Sequence, residues 1–344
     1  MRGLRALFFI AAWSACGGGD PPPLTDATSL QCPVPGDLPF RLMTTGFQTA
    51  SNATLAKLDT RVKDEASDTI GNPGGPYANV YLDPSASPTS APVDYRGVKA
   101  RTGANQGIET TPLVGEWVSA WYHDDTAGWV AIGRDQTGDD GSYDLPATGY
   151  TAPNGSPVYA MLEADGSCAT SYNLLLPTGS KVVVADIDGT LTTSDAELLM
   201  QLSDESYVPM MMGAANTLMQ TWSMKGYPVI YLTARGNEYR AETAQWLGME
   251  SFPIGATITG SNSTDAQAYK TLWLQRMVTD FGWNVVAAYG NADTDIAAYQ
   301  AVSIPNSQIF IVGPQGGDAG STAIPNMDFT DHIANYVDAQ PDND

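Results

Sequence analysis

Positive charge is scarce in this chain. Lys and Arg number 16 against 38 Asp and Glu, which leaves a formal net charge of −22 over 344 residues. A nucleic-acid partner needs a basic footprint on the protein, so the composition excludes that class of function. The same field repels anionic small molecules at long range. A phosphate site here therefore requires a bound cation and a local Lys. Histidine is scarcer still: His123 and His332 are the only two, too isolated to form a His-based metal site, and both are read as surface residues. Disorder is excluded by the 43% hydrophobic content, and the length suffices for two ordinary domains.

The opening "MRGLRALFFIAAWSACGGGD" has two Arg, an apolar run over residues 6–13 and small residues before Cys16. The run is too short to span a bilayer and reads as an export signal. "WSAC" resembles a bacterial lipobox, although Trp13 stands where an aliphatic residue is usual. That resemblance implies a signal peptide over residues 1–16 and membrane attachment through a lipidated Cys16. Gly17, in place of Asp, points to the outer membrane of a bacterial cell envelope; ordinary secretion is the alternative. Residues 17–36 are a Gly- and Pro-rich tether. With Cys16 acylated, Cys32 and Cys168 remain. An oxidising compartment allows them to pair, and two unrelated thiols is the equal alternative.

Over residues 37–178, short apolar-aromatic runs alternate with turn residues. "ANVYL", "EWVSAWY", "GWVAIG", "SPVYAMLEA" and "TSYNLLL" are candidate strands, and the Asp165-Gly166 step between the last two is a hairpin signal. They predict an antiparallel β-sandwich with Trp117, Trp121 and Trp129 in its core. "SNATLAKLDTRVKDE", from Ser51, predicts one capped helix ahead of those strands. Over residues 179–336 the pattern changes. "KVVVA", "YPVIYL", "NVVAAY" and "QIFIV" are continuous apolar runs, expected of parallel strands buried on both faces, and helical stretches separate them. The class is therefore α/β, an open parallel sheet preceded by the sandwich. An acidic tail, 337–344, has no evident role.

In such sheets ligands bind beyond the carboxyl ends of the strands. Asp186 and Asp188 follow "KVVVA", and residues two apart in an extended segment face the same way. Crowding raises the proton affinity of one acid, so an ionised nucleophile can coexist with a protonated donor. Thr233 follows "YPVIYL", where its hydroxyl and the next backbone N–H groups can hold phosphate oxygens beside a helix N-terminus. Lys270 supplies the missing positive charge. "YGNADTD" brings Asn291, Asp293 and Asp295 to the same rim, a hard-oxygen set that suits Mg²⁺.

In this order, "DIDGT", "LTAR", Lys270 and "GNADTD" resemble the four motifs of the haloacid-dehalogenase superfamily of phosphatases. More narrowly, "DIDGTLTTSD", "YLTARG" and "YGNADTDIAAY...IPNSQIFIVG" resemble the lipin and LNS2 branch, which includes the C-terminal domain of Nir-type phosphatidylinositol transfer proteins. The resemblance covers residues 157–313. It implies a Rossmann-like catalytic sheet, and the short spacings between motifs leave no room for a cap domain. It further implies that Asp186 attacks phosphorus to give an aspartyl-phosphate, and that Asp188 protonates the leaving oxygen and then activates water. Thr233 and Lys270 would assist, with Gly189, Thr190, Ala234 and Arg235 contacting substrate. Mg²⁺ would be held by Asp186, the Asp188 carbonyl, Asn291 and Asp295, with Asp293 the alternative to Asp295. Nir-type LNS2 domains have lost parts of the acidic pair, and this chain keeps both. The expected activity is a Mg²⁺-dependent phosphatase for phosphatidate or a related phospholipid at a membrane surface. The alternatives are a phosphatase for soluble esters and a headgroup-binding module without turnover. No protein partner is inferable.

Overall fold

The computed structural model describes residues 32–33, 38, 46–58, 62–66, 68–73, 75–79, 90–98, 110–146, 155–204, 206–260 and 265–343. The export signal, Cys16 and most of the tether lie outside them. Helix α1 (Ala50–Leu58) comes first, followed by ten strands: β1 (Val62–Ala66), β2 (Thr69–Gly71), β3 (Tyr77–Asn79), β4 (Ser90–Val98), β5 (Thr110–Pro112), β6 (Trp117–Asp124), β7 (Gly128–Gln136), β8 (Ser142–Pro146), β9 (Pro157–Leu162) and β10 (Cys168–Leu175). The helix expected from Ser51 thus ends at Leu58, and "VKDEA" becomes β1. Pairing with β4 overrides the local helical pattern, because β1 runs antiparallel to it over five residues.

These strands form two sheets. One has the order β1-β4-β5, with β8 also on β4; the other has the order β3-β2-β10-β9-β6-β7. Alternation along β6 and β9 separates the faces. Val118, Ala120, Val158, Ala160 and Leu162 meet Tyr143 of the smaller sheet in one apolar cluster, while Trp121 and Met161 lie in another. Trp121 is fully buried. Trp117 is only half-buried and carries the Arg134 guanidinium 3.7 Å above its ring. Cys32 and Cys168 are joined as a disulfide across a Cα separation of 6.1 Å.

At Lys181 the architecture switches. Strands β11 (Lys181–Ala185), β12 (Val229–Gly236), β13 (Ala256–Gly260), β14 (Asn284–Gly290), β15 (Ile309–Val312) and β16 (Thr322–Ile324) form a wholly parallel sheet in the order β13-β12-β11-β14-β15-β16. The connections carry α2 (Glu197–Ser203), α3 (Ala215–Met224), α4 (Arg240–Met249), α5 (Ala266–Gln275) and α6 (Asp293–Ala301). Among the described residues, no segment between these strands forms a separate cap. No helix there is long and apolar enough to cross a membrane. After β16 the chain makes a helical turn, α7 (Thr330–His332), continued by a π turn over Ile333–Val337. The acidic tail then packs under the sheet: Asn343 N–H donates to Lys225 O at 2.7 Å, and Lys225 Nζ to Gln340 O at 2.9 Å.

Valines on one strand serve both faces. Val182 and Val184 join the layer with Trp273 and Leu274 of α5, and Val183 joins the layer with Leu218 and Trp222 of α3. The first layer also contains Ile70, Ala78, Leu174 and Leu176, so the N-terminal sheet and the parallel sheet share one core. Burying each of the larger side chains is worth about 1.5–3 kcal/mol. A fragment starting at Ser180 is therefore expected to lose several kcal/mol of stability or to aggregate. Denaturant titration of the fragment against the full chain checks this; equal stability would contradict a shared core.

His332 is corrected from surface to interior, at 9% exposure. Its ring stacks on Tyr336 and borders Tyr289 and Phe310. Trp222 Nε1 donates to Tyr289 Oη at 2.8 Å, so the tyrosine proton is free to donate to His332 Nε2, 3.0 Å away. Burial pushes the imidazole down to about 4 from its ordinary 6.5. The folded state therefore keeps His332 neutral while the unfolded chain protonates it, and stability falls as pH drops from about 6.5 to about 4. The loss is on the order of 2 kcal/mol after discounting for residual solvent contact. Melting curves of His332→Phe across that window are expected to lack this component of the wild-type slope.

Candidate active site

Asp186, Asp188, Thr233, Asn291, Asp293 and Asp295 stand at or just beyond the carboxyl ends of β11, β12 and β14, and Lys270 reaches the same rim from α5. β11 ends at Ala185, and the next residue, Asp186, donates its N–H to Tyr289 O at 3.0 Å, which extends the pairing with β14 to the rim. Ile187 turns into the core at 0% exposure. Its carbonyl accepts from the N–H groups of Thr190, Leu191 and Thr192, and this closes a tight loop. Gly189 sits in that loop at φ +70°, where a Cβ would collide with Asn291 Nδ2 and Asp195 Oδ1. Only glycine fits there.

Two differently housed carboxylates result. Asp186 is 3% exposed. Lys270 Nζ donates to Asp186 Oδ1 and to Asp295 Oδ1, both at 2.6 Å, and Thr190 Oγ1 donates to Asp186 Oδ2 at 3.1 Å. The remaining Asp295 oxygen accepts from the N–H groups of Asn291 (3.0 Å) and Ala292 (3.1 Å), which ties it back to the start of α6. Burial, opposed by Lys270 and reinforced by Asp295 and Asp188, pushes Asp186 up to about 7. Burial also works against the Lys270 ammonium, but Asp186 and Asp295 outweigh it and hold the group above its ordinary value. Two buried carboxylates against one ammonium leave a local deficit of positive charge.

Asp188 stands nearer the solvent, its side chain 22% exposed. Thr233 Oγ1 donates to its Oδ2 at 3.1 Å, while Arg235 grips it through Nε (3.0 and 2.9 Å) and Nη2 (2.8 Å). This departs from the expectation for Arg235. Instead of facing substrate, its guanidinium is 1% exposed and turned onto Asp188, with Nη1 on Thr243 Oγ1 at 3.0 Å. The reason lies in β12, which continues past Thr233 to Gly236, so that Arg235 N–H caps Thr233 Oγ1 at 3.1 Å. That N–H is thereby spent inside the strand end. Ala234, between them, is half-buried.

Asn291 decides what the rim can hold. With its amide oxygen inward, Oδ1 lies 3.2 Å from Asp295 Oδ2 and 3.2 Å from the Asp188 carbonyl oxygen; turned over, Nδ2 donates to both. The turned-over amide satisfies both oxygens by itself; with the amide oxygen inward, the three oxygens would instead suit a small hard cation, whose adjacent ligands at about 2.1 Å would be roughly 3 Å apart. Among the described residues no group of three or more His, Cys, Asp and Glu side chains forms a metal cage. A site here would use two carboxylates with carbonyl and amide oxygens. Asp293 is exposed on the first turn of α6, away from the buried group.

Sequence reasoning missed Glu197. It is 2% exposed and accepts from Thr193 Oγ1 (2.8 Å), Tyr207 Oη (2.6 Å) and Met210 N–H (2.8 Å), which pins the loop after β11 into a flap beside the rim. The Ser194-x-x-Glu197 spacing, a capping-box pattern, was the available signal. The flap leaves Leu199, Met200, Val208 and Met210 exposed at 37–67%. The run "PMMMG" is thus split, with Met210 outward and Met212 in the core.

Comparison with known proteins bears on the half that carries the parallel sheet. A family model described as PITM 1-3, LNS2 domain matches residues 183–313. Membrane-associated phosphatidylinositol transfer protein 3 of Mus musculus is 30% identical over 188 residues, 54% of this chain and 18% of that protein. Protein retinal degeneration B of Drosophila melanogaster is 30% identical over 198 residues, 57% of this chain and 15% of that protein. The chain thus spans less than a fifth of the length of these relatives. A solved structure of the Pnkp1/Rnl/Hen1 RNA repair complex aligns with 38% of this chain and 42% of that one, at a TM-score of only 0.31 and 17% identity.

Proposed function

We propose that this chain, whose residues 183–313 match the LNS2 domain model, is a metal-dependent phosphomonoester hydrolase of haloacid-dehalogenase type acting on phosphatidate or a related phospholipid. The observation that carries this reading is the pairing of Asp186 and Asp188 at one strand end in unlike surroundings. Asp186 sits on the floor against Lys270, and Asp188 sits at the mouth against Thr233 and Arg235.

The chemistry runs in two displacements. The Asp186 carboxylate, whose ionised form Lys270 favours, attacks phosphorus; Asp188, which must turn one oxygen off Arg235 and Thr233 to carry a proton, delivers that proton to the departing alcohol oxygen, so the P–O ester bond breaks as the aspartyl-phosphate forms. Asp188, now a carboxylate, then takes a proton from water as that water attacks phosphorus and frees Asp186. Lys270 neutralises the floor throughout, and the Thr233 hydroxyl fixes the angle of Asp188. Mg²⁺, held by Asp186, the Asp188 carbonyl, Asn291 and Asp295, would offset charge on the transferring phosphoryl group.

The lipid assignment rests on two supports. One is the relatives, which are phosphatidylinositol transfer proteins by name. The other is the set of exposed apolar side chains, Leu199, Met200, Val208 and Met210, on the segment that follows the Asp186–Asp188 loop. Attachment through a lipidated Cys16 to a bacterial outer membrane completes the proposal, since a tether raises the effective concentration of a membrane substrate. The test is phosphate release from phosphatidate in vesicles, from short-chain phosphatidate and from soluble sugar phosphates, each with Mg²⁺ and with chelator. Metal-dependent release from both phosphatidates is expected. Turnover of sugar phosphates alone would discard the lipid, and binding of phosphatidate without release from any ester would replace the enzyme with a headgroup-binding module.

A further inference from the structure

Asp68 lies just before β2 in the N-terminal unit and is 1% exposed. Its Oδ1 accepts from the Tyr172 N–H in β10 at 2.6 Å and pairs with Arg240 Nη2; its Oδ2 accepts from the Thr257 N–H in β13 at 2.7 Å. Arg240 opens α4, and its Nη1 also reaches Thr257 O at 3.3 Å. One carboxylate therefore fastens both the edge strand of the parallel sheet and the first turn of α4 to the N-terminal unit. Three residues on, along the same side of the helix, Thr243 Oγ1 donates to Tyr239 O at 2.8 Å and accepts from Arg235 Nη1 at 3.0 Å. The other Arg235 donors hold Asp188.

We infer that Asp68 is a positioning residue for the general acid. Through Arg240, α4, Thr243 and Arg235 it sets the angle from which Asp188 meets the leaving oxygen. The N-terminal unit is thereby a working part of the active site as well as a buttress. This inference rests on the phosphatase reading, and it makes a demand that simple stabilisation does not. An alkyl phosphate needs proton delivery to its alcohol, whereas a nitrophenyl phosphate releases an anion that barely needs it. A misaimed Asp188 therefore slows the first far more than the second.

The experiment measures kcat/KM, which covers the steps through leaving-group departure, for both esters with the full chain, Asp68→Asn and Thr243→Val. Both variants are expected to lose roughly tenfold or more on the alkyl ester relative to the aryl ester, and Thr243→Ser is expected to restore the wild-type ratio. Thr243→Val removes only a hydroxyl at nearly constant volume; if loss of Asp68 unfolds the chain, Arg240→Lys, which keeps a cation for Asp68 but not the guanidinium that also reaches Thr257 O, takes its place with the same expected change in ratio. An active wild type with both esters slowed by one common factor in the variants would overturn this inference alone. A wild type that turns over neither ester would overturn the phosphatase reading and the inference with it.

Discussion

Asp186→Asn is expected to lower phosphate release by about 10⁵-fold or more, the scale seen when a covalent nucleophile is removed. The amide keeps the size of the carboxylate but cannot attack phosphorus. The variant should nevertheless fold at least as well as the parent. Asp186 has its folded pKa raised above the unfolded value by burial. Its ionisation thus destabilises the folded chain progressively as pH rises from about 4 to about 7, and by a constant amount above that. Asparagine removes this cost, so in the absence of added metal the melting temperature of the variant should gain on wild type as pH rises through that window. Substantial residual turnover, or a collapse of stability at pH 8, would contradict the assignment of Asp186 as a buried nucleophile.

Lys270→Met should damage both stability and activity. Its ammonium is the shared partner of Asp186 and Asp295, which are 3% and 0% exposed. Removing one partner of a buried pair typically costs about 3–5 kcal/mol, because the charge left behind is uncompensated. Loss of a charge aimed at the transferring phosphoryl group lowers turnover by a further 10²–10³-fold, roughly the value of one electrostatic stabiliser. The stability defect should shrink as pH falls and a carboxylate takes up a proton. It should also shrink when Mg²⁺ is added, because a cation that binds only the folded state stabilises it. A Lys270→Met chain that melts with wild type at pH 8 without metal would show that the triad is not the keystone of the floor.

How much of this was legible in the sequence depends on how local the cause is. The parallel strands were legible because burial on both faces leaves an unbroken apolar run, as in "KVVVA". The residues at their carboxyl ends then followed from the strand ends themselves. β1 and β4 were not legible. "VKDEA" and "SAPVDYRGV" carry no clean alternation, and they are strands because they pair with each other. The pairing of Asp68 with Arg240 spans 172 positions, and nothing near either residue announces the other. His332 misled in part for the same reason: Tyr289 and Phe310, two of the rings that bury it, come from β14 and β15, while Tyr336 stands only four residues on. Arg235 misled differently. Its place after Thr233 was read correctly, but whether a guanidinium faces substrate or a neighbouring carboxylate depends on how far β12 runs, and the strand ran to Gly236.

The central claim is a covalent step at Asp186, and the most direct measurement is to catch it. The full chain with Mg²⁺ and short-chain phosphatidate would be quenched in acid during turnover, digested and analysed by peptide mass. A phosphoryl group on the peptide bearing Asp186, present in the wild-type chain and absent from Asp186→Asn, is the result this account predicts. Phosphate released at an undiminished rate by Asp186→Asn, with no phosphorylated peptide in either chain, would contradict it.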